Sequence, residues 1–202
     1  MTWRSMTWRQ RTSRLVTRCL RLRRLLVAAA LGSLTACSTD STFSPIARVL
    51  VSPRCLNCHT MTYFPRQGED RHPHLFLVAR GPEDHGAVGK RCNECHQTQN
   101  QGNGVPGAPN WRLAPLQMAW ESEPGKALSE GALCRRLLDL SHNGHRNLEQ
   151  LAEHLATERL VLWAWAPGRN LDGEQRATPP VEHEQFLQAF RGWRAAGARC
   201  PP

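Results

Sequence analysis

The feature that most restricts this chain is a five-residue pattern that occurs twice, as Cys55-Leu56-Asn57-Cys58-His59 and Cys92-Asn93-Glu94-Cys95-His96. Two residues between the cysteines let both sulfurs reach the two vinyl groups on one edge of a haem, and the adjacent His then lies beneath the ring as an iron ligand. The pattern predicts two covalently bound haem c groups, with His59 and His96 as proximal ligands. Paired C-x-x-C elements can also form a four-Cys zinc site, but the 33 residues between them exceed ribbon spacing, and zinc leaves the repeated His without a role. Disulfides inside the motifs, or thioredoxin-like redox pairs, also use C-x-x-C, but no βαβ pattern lies nearby to favour them.

The segment between the motifs argues for one compact unit. Only 32 residues separate His59 from Cys92, and Pro65, Gly68, Pro73, Gly81, Pro82, Gly86 and Gly89 break any long helix there. That is too little chain for a separate domain around the first haem. Residues 99–115 form a second Gly/Asn/Pro loop, expected at this length to wrap a cofactor. Helical patterns appear later in the chain. Ser129 caps a helix to about Leu140, with Leu133, Leu137, Leu138 and Leu140 on its apolar side. Asn147 and Gln150 make a capping box for a helix to about Thr157, with Leu148, Leu151 and Leu155 inward. After Pro179-Pro180, a last helix over about 182–196 places Phe186, Phe190 and Trp193 on one face and stops at Gly197. The run Leu160 to Trp165 is the only strand-like stretch, or an extended piece lying on a haem. The expected fold is mainly α with extensive loops: a single compact dihaem cytochrome c-type domain over residues 49–202.

The formal net charge of +9 misleads, because residues 1–36 hold eight Arg and no acid. Without them 18 basic groups face 17 acidic ones, and the chain has only two Lys, Lys90 and Lys126. Nucleic-acid binding needs a surplus of cations, so that class is excluded as an expectation. The Arg-rich start precedes the apolar run Leu25 to Leu34, half the roughly 20 residues of a bilayer-spanning helix. It reads as a signal-peptide core. Leu34-Thr35-Ala36-Cys37 resembles a bacterial lipobox, which implies cleavage after residue 36 and lipid on Cys37; an ordinary secretory signal with a chance Cys is the alternative. Residues 37–48, rich in Ser and Thr, read as a lipidated tether. Ser38 after the Cys resembles the sorting signal of outer-membrane lipoproteins, facing the periplasm of a Gram-negative cell.

Eight Cys then sort without remainder: Cys19 leaves with the signal, Cys37 takes lipid, four serve the motifs, and Cys134 and Cys200 remain. An oxidising compartment favours a disulfide between these two, stapling the last helix to the domain; a thiolate haem ligand is the alternative. For the far side of each iron the candidates are His72, His74, Met118 and His154. His72-Pro73-His74 lies between the motifs on a backbone fixed by Pro, Met118 follows the Pro-rich loop, and His154 borders a helix's apolar stripe. Their ordinary readings are an exposed turn, a core Met and a core His.

The two motifs together with Asp70-Arg71-His72-Pro73-His74, Arg80-Gly81, Pro106-Gly107-Ala108-Pro109-Asn110-Trp111, Leu160 to Gly168, Gly197-Ala198 and Cys200-Pro201 carry a family likeness over about residues 50–202. In them the chain resembles small exported dihaem c-type cytochromes known as isoquinoline 1-oxidoreductase subunits. His145 departs from that likeness, standing where the family pattern has Gly. The resemblance implies a periplasmic carrier of single electrons, taking them from a molybdenum hydroxylase-type dehydrogenase and giving them to a downstream carrier, with no catalysis of its own. A peroxidase-like haem enzyme, with one iron open and an acid–base group nearby, is a competing expectation. So is a structural lipoprotein that holds a dehydrogenase at the membrane.

Overall fold

The computed structural model describes residues 41–202. The expected signal peptide (1–36) and the lipidated Cys37 lie outside the described residues. In chain order the helices are α1 (Ser44–Leu50), α2 (Pro53–Leu56), α3 (Cys92–Cys95), α4 (Glu130–Leu138), α5 (Leu148–Thr157), α6 (Arg159–Leu162) and α7 (His183–Ala195). The strands are short and antiparallel in two pairs: β1 (Arg66–Gln67) with β2 (His72–Pro73), and β3 (Glu121–Glu123) with β4 (Lys126–Ala127). Loops make up much of the rest, chiefly around the second motif.

The core forms where α1, α4, α5 and α7 meet. Phe43, Ile46, Val49, Leu133, Phe186 and Trp193 are fully buried within it. The ring centres of Phe43 and Trp193 lie 5.1 Å apart, and those of Phe190 and Trp193 lie 5.4 Å apart. Burying each such aromatic contributes about 2–3 kcal/mol. The buried Trp193 indole donates to the Arg199 carbonyl at 2.9 Å, which satisfies its polar edge and turns the chain back after α7.

Two expected helices start as their caps dictate. Ser129 Oγ accepts from the Ala132 N–H at the head of α4. Asn147 and Gln150 exchange both bonds of a capping box at the head of α5. The α4 helix ends at Leu138, two residues before the expected limit, and Leu138 and Leu140 are exposed rather than core. Cys134 and Cys200 are joined in a disulfide with Cα atoms 5.5 Å apart. The C-terminal segment passes so close to α4 that a Cβ at Gly131 would sit 2.4 Å from the Pro202 carbonyl oxygen.

Two stretches differ from expectation. Residues 43–50, read as part of a tether up to residue 48, fold into the core: Ser44-Pro45 starts α1, and Phe43, Ile46, Ala47 and Leu50 recur at helical spacing on its buried side. The domain therefore begins before residue 49. Leu160 to Trp165, the strand-like run, is helical, as α6 followed by a 3-10 turn over Trp163–Trp165, because Glu158 caps it by accepting from the Leu160 N–H.

Candidate functional site

Each C-x-x-C-H motif begins in a single helical turn, α2 running into the first and α3 forming the second, so its two cysteines fall on one side. Beyond the turn, the two histidines are held in the same way. His59 donates from Nδ1 to the Met118 carbonyl at 2.9 Å, and its ring stacks on Trp120 with centres 3.5 Å apart and planes 10° from parallel. His96 donates from Nδ1 to the Pro106 carbonyl at 2.7 Å, and stacks on Trp111 with centres 4.5 Å apart and planes 7° from parallel. A carbonyl oxygen only accepts, so Nδ1 must carry the proton and Nε2 keeps its lone pair. Burial pushes the His59 pKa down to about 4, with the Met118 carbonyl opposing, and burial likewise lowers that of His96. Both imidazoles are held neutral, oriented, and basic at one defined nitrogen.

Loops carrying these acceptors are fixed by buried polar groups. Glu121 follows Trp120, and its buried carboxylate accepts from the Thr60 hydroxyl and the Met61 N–H, each at 2.8 Å, and from Arg71. It thereby clamps the residues after His59 to the segment that supplies Trp120; the Trp120 N–H also donates to the His59 carbonyl at 2.9 Å. Arg80, only 6% exposed, donates to Asp84 at 2.6 Å and to the carbonyls of Ala114, Thr60 and Thr62 at 2.5, 2.9 and 3.3 Å. It ties the exit of the first motif to the approach of the second. Under His96 the loop 97–107 is closed so tightly that a Cβ at Gly107 would meet the Gln99 carbonyl oxygen at 2.3 Å.

A cavity of about 370 Å³ opens on the first motif, within the roughly 300–1,000 Å³ of cofactor pockets. Cys55, Cys58 and His59 form part of its wall; Leu113, Leu151, Leu155, Val161 and Phe186 give it an apolar lining, and His154 of α5 opens on it too. His154 lies near enough to His59 for its charge to depress the His59 pKa further. Met118 also lines this cavity, and its carbonyl is the one that accepts from His59 Nδ1. His142, paired through Nδ1 with Asp139 at 2.7 Å, lines the same cavity.

At the second motif His74 meets His96 edge to face, with ring centres 5.9 Å apart. Its Nδ1 donates to the Leu75 carbonyl, leaving Nε2 with a lone pair. His74 and His96 are thus two imidazoles that could hold one metal between them. His72 pairs through Nδ1 with Asp70 at 2.6 Å in the β1–β2 turn, beside Gly68, whose carbonyl accepts from Asn57 of the first motif at 3.0 Å. The Cys92 charge helps raise the Cys58 pKa, so the two motifs lie near one another in the fold.

This arrangement fits haem better than the competing chemistries of paired cysteines. Burial raises the Cys55 and Cys58 thiols to about 11 and about 12, the reverse of the lowered pKa that marks a reactive redox thiol. Among the described residues no three His, Cys, Asp or Glu side chains converge as a zinc site requires. An apolar cavity with two thiols and a neutral, oriented imidazole in its wall suits a ring attached at its edge and ligated from below. Sequence reasoning missed Trp120, Trp111, Glu121 and the two acceptor carbonyls; Trp111 stood in the run Pro106 to Trp111, but nothing in the pattern marked its contact with His96. Comparison with protein families, with curated proteins and with solved structures finds no match.

Proposed function

We propose that this domain binds two haem c groups through Cys55, Cys58 and His59, and through Cys92, Cys95 and His96, and carries single electrons. The observation that carries the reading is the doubled setting of the motif histidines: each has Nδ1 bound to a backbone carbonyl, a Trp stacked on its face, and Nε2 left basic. Such surroundings orient the ring and fix its tautomer for a metal. When bound, each haem supplies a one-electron couple at its iron, whose potential the protein tunes.

The residues of the chain do the rest. His154 and His74 are the second ligands in this reading, supported by His154 opening on the cavity that holds the first motif and by the 5.9 Å approach of His74 to His96. The apolar lining of the cavity excludes water from the first site. Two motifs near one another suit transfer between haems within one chain. The partners in this reading are a periplasmic molybdenum hydroxylase-type enzyme upstream and an electron carrier downstream, with Cys37 lipid holding the chain at the membrane.

A haem-enzyme reading draws on one observation, His142 on the cavity wall with Asp139 paired to it, which could serve acid–base chemistry at an open iron. Carbon monoxide separates the two. As a carrier, the reduced protein binds it slowly or not at all, and His154→Ala or His74→Ala each opens one haem. Rapid binding by the unaltered protein, with peroxide turnover lost in His142→Ala, overturns the carrier reading.

A further inference from the structure

We propose that Arg54, with Arg176 at the other end of the Trp163–Pro167 turn, seats a haem propionate at the cavity of the first motif. The inference rests on the dihaem reading above and assigns residues that the motifs do not mark.

Arg54 and Arg80 are buried alike, at 7% and 6% exposed. Arg80 has four acceptors around its guanidinium. Arg54 has one, the Glu69 carboxylate at 2.6 Å from Nη2; the Nε of both is without a partner among the described residues, so the contrast lies at the terminal nitrogens. A guanidinium offers five N–H donors, and burying a cation short of acceptors is costly. Arg54 lines the cavity beside Cys55 and Cys58, and its guanidinium carbon sits 5.7 Å over the Trp163 ring. The aromatic face holds the planar group in place, with donors left for a ligand.

The local charge is also short of an anion. Arg176 binds the Pro167 carbonyl, just past the turn whose Trp163 ring Arg54 covers, and burial and then the Arg54 charge lower its pKa, with Glu69 opposing. That carboxylate is half exposed, at 53%. Arg176 donates to the carbonyls of Pro167 and Gly104 at 3.1 and 2.6 Å and to that of Arg169, which fix its head without neutralising it. Its charge also reaches His96. Two cations with one half-exposed acid, at a point felt from both motifs, fit a further carboxylate, which a guanidinium can take with two parallel bonds. The haems bring carboxylates of this kind. The propionate can come from the haem on Cys55 and Cys58 or from that on Cys92 and Cys95.

The test uses the full holoprotein and its Arg54→Gln and Arg54→Lys variants. Resonance Raman reads the propionate bending modes, and redox titration reads each haem's reduction equilibrium. Arg54→Gln is expected to keep two haems by mass, shift the propionate mode of one haem, and make that haem at least threefold harder to reduce. Arg54→Lys should move the mode while holding most of the equilibrium, since it keeps the charge and loses the fork. A Cys95→Ser background, carrying only the first haem, tells which propionate is seated: the effect persists there for one source and vanishes for the other. If Arg54→Gln does not accumulate, Arg176→Gln carries the same expectation. Unchanged propionate modes in both haems overturn the proposal, whereas absence of haem mass in the unaltered protein would instead overturn the dihaem reading.

Discussion

The Nδ1 of His59 donates to the carbonyl of Met118 at 2.9 Å, so the residue that a Pro-rich loop most naturally offers as an axial sulfur ligand is bound to the opposite side of the imidazole. In the proposed reading Met118 acts through its backbone. Met118→Leu keeps that carbonyl and is expected to leave the absorption spectrum and the potentials of both haems unchanged. Loss of a sulfur-to-iron charge-transfer band, or a marked fall in one potential, would put the Met118 sulfur on an iron and displace His154 from it.

Glu121 is the polar anchor of the first site. Burial alone would raise its pKa, but the Met61 N–H, Arg71 and the Thr60 hydroxyl more than offset this and hold it below the ordinary 4.5. A carboxylate depressed in the folded state adds stability above its unfolded pKa and loses it as pH falls through the lower folded value. Glu121→Gln leaves Arg71 unpaired and should cost about 3 kcal/mol at neutral pH in chemical denaturation. The gap between the two proteins should narrow as pH is taken below 4.5, while a constant gap would show that the charge is not what matters.

Phe43 makes the start of the domain testable. Its side chain is fully buried against Trp193, so Phe43→Ala is expected to destabilise the fold by about 3–5 kcal/mol. A change under about 0.5 kcal/mol would return residues 43–48 to the tether.

His145 sits at φ 59, in the left-handed region where a Cβ costs about 1–2 kcal/mol. A Gly there would carry no such cost. His145→Gly should stabilise the protein by roughly 0.5–1 kcal/mol in thermal denaturation, after the added freedom of the unfolded chain is subtracted. A loss of stability would show that the His145 ring makes a compensating contact.

Sequence alone locates what local chemistry encodes. The caps at Ser129 and Asn147, and the spacing of Phe186, Phe190 and Trp193, mark α4, α5 and α7, because each signal lies within a few residues of its effect. The α1 helix is hidden because Ser44-Pro45 suits a linker as well as a helix start, and only packing against Trp193 decides. Leu160 to Trp165 has β-prone residues but no partner strand, and the Glu158 cap turns it helical. At the site the motif histidines are legible. Their carbonyl and Trp partners are not, since Met118 lies 59 residues beyond His59 and no local pattern joins them. Of the two imidazoles flanking Pro73, only contact geometry separates His74, facing His96, from His72, bound to Asp70.

Intact mass of the purified holoprotein, combined with a haem-stained denaturing gel, tests the central claim most directly. Two covalent haems per chain are expected, falling to one in Cys58→Ser and to one in Cys95→Ser, with the Cys134–Cys200 disulfide retained in both. A chain that carries no haem and holds zinc, or disulfides within the two motifs, would contradict the account at its root.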